Sequence, residues 1–269
     1  MAEAPYLSQL HVYPIKSAGG IPLEASEVDE RGLCLDRRWM LVEQTGGFMS
    51  QRRFPRMALI GVRIEPDHLA VETPDMPPLK VPLRPPVRKL RLARVWWDLV
   101  EVSTVGDDAD RWFGEFLGVG CKLVYLPDES IRPVDPAYGG RGDRVGLADG
   151  FPFLLVSETS LADLNARLER PVPVDRFRPN LVVRGCVPYA EDGWRLVRIG
   201  RIPLRVIKPC ARCTITTVDQ QTATSGKEPL RTLARFRRAG NEVLFGQNLI
   251  HDGTGTLHTG DPVEVLQAR

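Results

Sequence analysis

The stretch KPCARCTITT, Lys208 to Thr217, sets Cys210 and Cys213 between a lysine and a run of β-branched residues. Such a pair can be half of a zinc site, a redox dithiol, a disulfide, two packed thiols, or the holder of a softer metal. Structural zinc takes four ligands, usually a second cysteine pair or two close histidines. The histidines are His11, His68, His251 and His258, and no two of them fall at that close spacing. A redox dithiol normally opens a helix, whose N-terminal dipole favours the thiolate. CTITTVD, rich in Thr, Ile and Val, instead reads as a strand. Two packed thiols without chemistry remain open. The surroundings fit another reading better: Lys208 and Arg212 favour thiolate over thiol, and thiolate is the soft ligand for soft metals. A thiolate among cations suits a metal cofactor that is itself anionic, although spacing does not name the metal.

Working outward, the chain reads as short strands separated by Gly- and Pro-rich turns. LSQLHVYPI, RRWMLVEQ, MALIGVRIEP, HLAVET and VWWDLVEVST have strand composition in the first half. DDADRWFGEFLG breaks that rhythm: Ala109, Trp112, Phe113, Phe116 and Leu117 recur at helical spacing behind an acidic start, with Gly118 as the stop. Pro127 to Gly146 mixes Pro, Gly and charges without periodicity and reads as a linker or a long mobile loop. Beyond it FPFLLVS, PNLVVRG, IPLRVIKP, EVLFGQNLI and PVEVLQ read as strands. SETSLADLNARLER reads as a helix with Leu161, Leu164 and Leu168 on one face, and KEPLRTLARFRR as a short basic helix with Pro229 in its first turn. Many short strands with few helices predict a mainly β, α+β fold of barrels or sandwiches. No GxGxxG, Walker or GxSxG signature is present.

Composition sets outer bounds. The 269 residues suffice for one large or two modest cores. A hydrophobic content of 43%, a charged content of 26% and a net charge of +2 are ordinary for a soluble protein and do not suggest a nucleic-acid partner. The basic RTLARFRR helix alone is weak ground for one. No apolar run approaches the ~20 residues of a membrane span. The start, MAEAPYLSQL, lacks a signal-like h-region. A cytoplasmic location is the expectation. Cys34, Cys121 and Cys186 sit among apolar or small residues and read as buried hydrophobes, not as a disulfide framework.

At this point the sequence resembles the MOSC-domain molybdenum enzymes, in particular the mitochondrial amidoxime-reducing component and its bacterial relatives. KPCARCTITTVDQQT, GKEPLRTLARFRR, LFGQNLI and GTLHTGDPVEVL resemble the MOSC domain. VYPIKSAGGIPL, LDRRWMLVE, ADGFPFLLVSETSLADLNARL and DRFRPNLVVRG resemble the pairing of an N-terminal β-barrel with it. The likeness runs from about Tyr6 to Val265 in the family's order. It implies an N-terminal β domain over 1–126, a MOSC β-barrel over 127–269, and a molybdenum cofactor (Mo-molybdopterin) in the cleft between them.

The resemblance also implies roles. Cys213 would be the thiolate ligand to the metal, with Cys210 a neighbour. Lys16 and Ser17 in YPIKS and Arg37 in LDRRW would face the phosphate or pterin, with Arg178 in FRPN as a further clamp. Arg212 and Asn248 would line the same pocket, and Asp149 would assist proton delivery near the metal. The implied activity is reduction of small N-hydroxylated compounds such as amidoximes, hydroxylamines and N-hydroxylated bases by N–O cleavage. A cofactor or sulfur carrier without turnover is the alternative. Two departures stand out. Ala211 replaces a serine of some relatives, and Gly150 and Phe151 stand where the mitochondrial forms carry Thr-Ser. With no targeting segment or membrane anchor, and EVLQAR directly after the barrel, the bacterial-type branch and a separate electron-donor protein are expected.

Overall fold

A computed structural model of the chain describes residues 4–269. Its largest sheet has nine strands. Eight follow one path: Val263–Ala268, Trp194–Ile199, Ile202–Ala211, Glu242–His251, Phe153–Ser157, Leu181–Arg184, Tyr6–Val12 and Ile21–Leu23; Arg238–Ala239 pairs onto Glu242–His251. Pairing is antiparallel except between Phe153–Ser157 and Leu181–Arg184, which run parallel across the helix Glu158–Asn165. The strand Tyr6–Val12 also bridges to Pro262, just before the last strand, so the sheet curls back on itself as a barrel. Inside it lie Leu7, Leu10, Phe153, Leu155, Leu181, Val197, Ile199, Leu204 and Leu249. Fully burying side chains of this size stabilises by roughly 1.5–3 kcal/mol each.

A four-stranded sheet of Trp39–Glu43, Cys121–Tyr125, Asp98–Thr104 and Leu90–Val95 and a three-stranded sheet of Gly61–Ile64, His68–Glu72 and Leu79–Pro82 make up most of the first half. The helix Asp107–Leu117 contributes Ala109, Trp112, Phe113 and Phe116 to the core there. Asp107, Asp108 and Asp110 complement its N-terminal dipole, and Gly118 ends it with φ 68°. The two halves are interlaced: Tyr6–Val12 and Ile21–Leu23 belong to the barrel sheet, and Ala25–Asp29 pairs with Gly255–His258. The fold is mainly β, as read from the strand rhythm.

Four local expectations are corrected. CTITTVD is no strand: Thr214–Thr217 is a 3-10 turn starting at Cys213, because the sheet partner of Ile202–Ala211 ends its pairing at Ala211. MALIGVRIEP begins as a 3-10 turn, Pro55–Leu59, and only Gly61–Ile64 is strand. The stretch Pro127 to Gly146 is no free linker: Val134 and Val145 pack against Ile250 and Arg132 is buried, while Asp135 to Tyr138 and Gly140 to Gly142 are exposed. Of the three outlying cysteines only Cys121 is fully buried; Cys34 and Cys186 are half-buried, and all five thiols are free. Among the described residues no helix is long and apolar enough to cross a membrane.

Candidate functional site

One rim of the barrel gathers the ends of several strands, and Lys16, Ser17, Arg37, Asp149, Arg178, Arg212, Cys213 and Asn248 all line a single cavity there. Lys16 and Ser17 follow the strand Tyr6–Val12, and Arg37 precedes Trp39–Glu43. Asp149 precedes Phe153–Ser157, and Arg178 precedes Leu181–Arg184. Three of these residues hold left-handed backbone: Ser17 at φ 68°, Arg37 at 46° and Arg178 at 56°. Such conformations cost of order 1 kcal/mol or more for a residue with a Cβ, and they concentrate where a site needs side chains aimed off the regular ladder.

The basic wall is built around one aromatic plate. The Tyr13 ring contacts the Arg37 guanidinium at 4.2 Å and that of Arg178 at 4.4 Å. Burial pushes the Tyr13 hydroxyl up to about 12, so it stays neutral beside two cations. Gly20 permits this packing: a Cβ there would meet the Tyr13 ring at 2.4 Å. Arg37 donates to Asp36 at 2.6 Å, to Asn180 Oδ1 at 3.1 Å and to the Arg178 carbonyl at 3.2 Å. Burial raises the Asp36 carboxyl while Arg37 pulls against it. Arg178 differs. It is 8% exposed, its Nη2 is buried without a partner, and its side chain makes no hydrogen bond or ion pair among the described residues. Burial pulls it down to about 10, which leaves it charged at neutral pH.

Lys16 Nζ donates to Asp149 Oδ1 at 2.5 Å. Burial pulls Lys16 down to about 8, with Asp149 opposing. Burial also disfavours the Asp149 carboxylate, but the Lys16 ammonium outweighs it and holds the carboxyl well below the usual range. The Asp149 side chain is 57% exposed at the cavity mouth, so the ion pair decides the direction. Arg132, buried, fixes this corner by donating to the carbonyls of Gly146 at 2.9 Å, Ala148 at 2.5 Å and Asp149 at 3.0 Å while pairing with Asp98 at 2.8 Å.

The sulfur corner departs from the sequence expectation. The strand Ile202–Ala211 shifts register against Glu242–His251 between Val206 and Lys208 and again between Pro209 and Ala211. Bulges of this kind re-aim side chains next to sites. Lys208 turns away and caps the Tyr138 ring at 4.0 Å. Arg212 serves Cys210 at 3.0 Å and the Phe177 carbonyl at 2.7 Å, with its own Nε buried and unpartnered. The cation beside Cys213 is Arg52, whose Nη1 lies 3.4 Å from Sγ. Arg52 stacks on Trp96 at 4.6 Å and Phe48 at 5.5 Å. Asn248 stands opposite Lys208 and reaches the Lys208 and Pro209 carbonyls only at 3.4 and 3.5 Å. The preceding Gly246 is forced: φ is +78° and a Cβ would lie 2.7 Å from the Leu155 carbonyl. Among the described residues no three His, Cys, Asp or Glu side chains cluster as a metal cage.

Sequence reasoning missed Tyr13, Asp36, Asn180, Arg52, Arg132 and Trp96. The first three sit inside or beside the motifs YPIKS, LDRRW and FRPN; Arg52, Arg132 and Trp96 carry no motif signal. The assembled wall sets Lys16, Arg37, Arg178 and Arg212 against the carboxylates of Asp149 and Asp36. Four cations to two carboxylates, with buried donors left over, make a pocket suited to a polyanion beside a free thiol.

The chain matches the MOSC N-terminal beta barrel domain over residues 4–120 and the MOSC domain over residues 142–264. It is 37% identical to mitochondrial amidoxime-reducing component 1 of Mus musculus, over 97% of this chain and 82% of that protein. Against the Homo sapiens protein of the same name identity is 35% with the same coverage. Among solved structures, the YuaD protein from Bacillus subtilis is a distant likeness, at 11% identity and TM-score 0.47 over 97% of this chain and 95% of that one.

Proposed function

The chain belongs to the MOSC family, in the branch that pairs a MOSC N-terminal β-barrel domain with a MOSC domain, and from that premise we propose that it is a molybdenum-cofactor-dependent reductase of N-hydroxylated compounds. The observation that carries the reading is Arg178: a buried, charged guanidinium with a donor left unpartnered among the described residues, in the lining of the cavity that Cys213 also lines. A buried cation without a counter-ion is costly unless a ligand supplies the charge. The pterin cofactor's phosphate is such a charge. Lys16, Ser17, Arg37, Arg178, Arg212 and Asn248 are the residues that would hold it, and Cys213 is the one that would ligate the metal.

When bound, the cofactor supplies a two-electron centre at which an N–OH substrate takes up two electrons and two protons and leaves as the N–H product and water. The chain's own part is to bind, orient and move a proton. Burial lowers Lys16 toward neutral pH, and its Nζ donates to Asp149 Oδ1 at the mouth at 2.5 Å, so Lys16 is the group here that can give up a proton and take one back. Arg52 donates to the Cys213 sulfur and fixes its direction. Electrons arrive from a separate donor protein.

The test is metal analysis of protein made in a cofactor-competent host, paired with benzamidoxime reduction driven by dithionite-reduced methyl viologen. Cys213→Ala is expected to stay folded and fall below about 1% of wild-type turnover, as loss of the single protein ligand requires. A molybdenum-loaded and active Cys213→Ala would overturn the reading. Bound molybdenum in the wild type without any turnover would favour the carrier alternative.

A further inference from the structure

Six of the twelve large hydrophobic side chains that the described structure leaves exposed lie on one short segment: Val87, Leu90, Leu92, Trp96, Trp97 and Leu99. Trp97 is 92% exposed, at the turn between the strands Leu90–Val95 and Asp98–Thr104. Next to it on the outer face, Arg94 stands directly opposite Leu99, and Leu92 opposite Glu101. Indoles left this bare are rare on a monomer unless something covers them, and Trp and Arg are the residues that dominate interface energetics. The segment is also basic. Arg88, Lys89, Arg91 and Arg94 form no ion pair among the described residues, whereas one of its two acids, Asp98, is neutralised by the buried Arg132.

This hairpin leads into the site. Trp96, beside the bare Trp97, packs tilted against Phe48 at 5.4 Å and lies under the Arg52 guanidinium at 4.6 Å, and Arg52 reaches Cys213 Sγ at 3.4 Å. Two consecutive contacts, Trp96 to Arg52 and Arg52 to Cys213, therefore join the exposed turn to the sulfur. We propose that the Leu90–Thr104 hairpin, with Trp97 at its centre, is the docking surface for an acidic one-electron carrier protein that supplies the reducing equivalents. The inference rests on the reductase reading above and names its partner by chemistry: acidic, to meet the unpaired arginines, and small enough to seat its redox group over one turn. The carrier is oxidised by one electron per encounter, and two encounters with two protons convert N–OH to N–H and water. A lipid surface would also take Trp and Arg, but it would leave the contact chain from Trp96 to Cys213 without a purpose.

The experiment uses the holoenzyme with two acidic probes, a plant-type [2Fe–2S] ferredoxin and a soluble cytochrome b5 domain, titrated calorimetrically at low and high salt. At least one is expected to bind in a salt-sensitive way, and Trp97→Ala and Arg94→Glu are each expected to weaken it about tenfold or more. The same variants are expected to keep viologen-driven benzamidoxime reduction within about twofold of wild type, since neither residue touches the cavity and most interface truncations act on binding alone. Binding unaffected by both substitutions, or no binding of either probe to the wild type, would overturn the proposal. So would loss of binding to phosphatidylserine-containing vesicles in Trp97→Ala with carrier affinity unchanged. Absence of viologen-driven turnover in the wild type would fall on the reductase reading instead, while the calorimetry still decides the docking surface.

Discussion

Two kinds of buried arginine occur in this molecule, and they end differently. Arg38, Arg132 and Arg176 are each buried and each finds a carboxylate: Asp128 at 2.5 Å, Asp98 at 2.8 Å and Asp219 at 3.3 Å. They also bond carbonyls, such as Leu126 for Arg38 and Thr216 for Arg176. Arg178, equally buried, has neither among the described residues. The first set braces the fold and the last waits for a ligand. Even neighbours in sequence divide this way. Arg38 turns toward Tyr125 and Asp128, away from the cavity, while Arg37, one residue earlier and in left-handed backbone, turns into it.

The sharpest way to break that contrast is to remove one arginine of each kind. Arg178→Leu is expected to cut cofactor retention roughly 100-fold, as loss of a buried charge-assisted contact would, while the cofactor-free protein melts no lower than wild type. Arg38→Leu is expected to lower stability by about 1–3 kcal/mol through its stranded partners, with molybdenum content per folded protein unchanged. Equal thermal destabilisation by both, read from melting curves of cofactor-free protein, would erase the distinction.

A second probe is pH. Lys16 titrates near 8 in the folded chain, below its ordinary value of 10.5. Between about pH 8 and 10.5 the unfolded chain therefore holds more protons than the folded one, so stability of the cofactor-free protein rises with pH across that window. Anion affinity goes the other way, because Lys16 loses its charge as pH passes 8. Pterin-phosphate binding is expected to weaken by up to about tenfold from pH 7 to 9.5, and Lys16→Met to flatten that slope. A slope unchanged in Lys16→Met would remove Lys16 from the anion wall.

The smallest effects compare two glycines. Gly246→Ala is expected to destabilise by about 1–3 kcal/mol, since it combines positive φ with a clash at the Leu155 carbonyl. Gly150→Ser meets nothing within 4 Å and is expected to stay within about 0.5 kcal/mol of wild type in denaturant titrations.

Much of this was legible in the chain. Strand rhythm gave the mainly β fold, and the motif order gave the eight residues that line one cavity. What failed did so for a physical reason. The β-branched run after Cys213 looked extended, but the partner strand ends its pairing at Ala211 and the chain closes into a 3-10 turn. Lys208 and Arg212 looked like the thiolate's cations because they are adjacent in sequence. Two register shifts send one to Tyr138 and the other to Cys210, and leave Arg52, 161 positions away, beside Cys213. The interlacing of Tyr6–Val12 into the second half's sheet likewise has no local signal, because strand pairing at such separation is written in neither strand alone.

The most direct test of the central claim is anomalous diffraction at the molybdenum edge from crystals of cofactor-loaded protein. The expected map has one metal peak bonded to Cys213 Sγ and the cofactor's phosphate held by Lys16, Arg37 and Arg178. A metal peak away from Cys213, or a phosphate bound elsewhere with Arg178 still unpartnered, would contradict it.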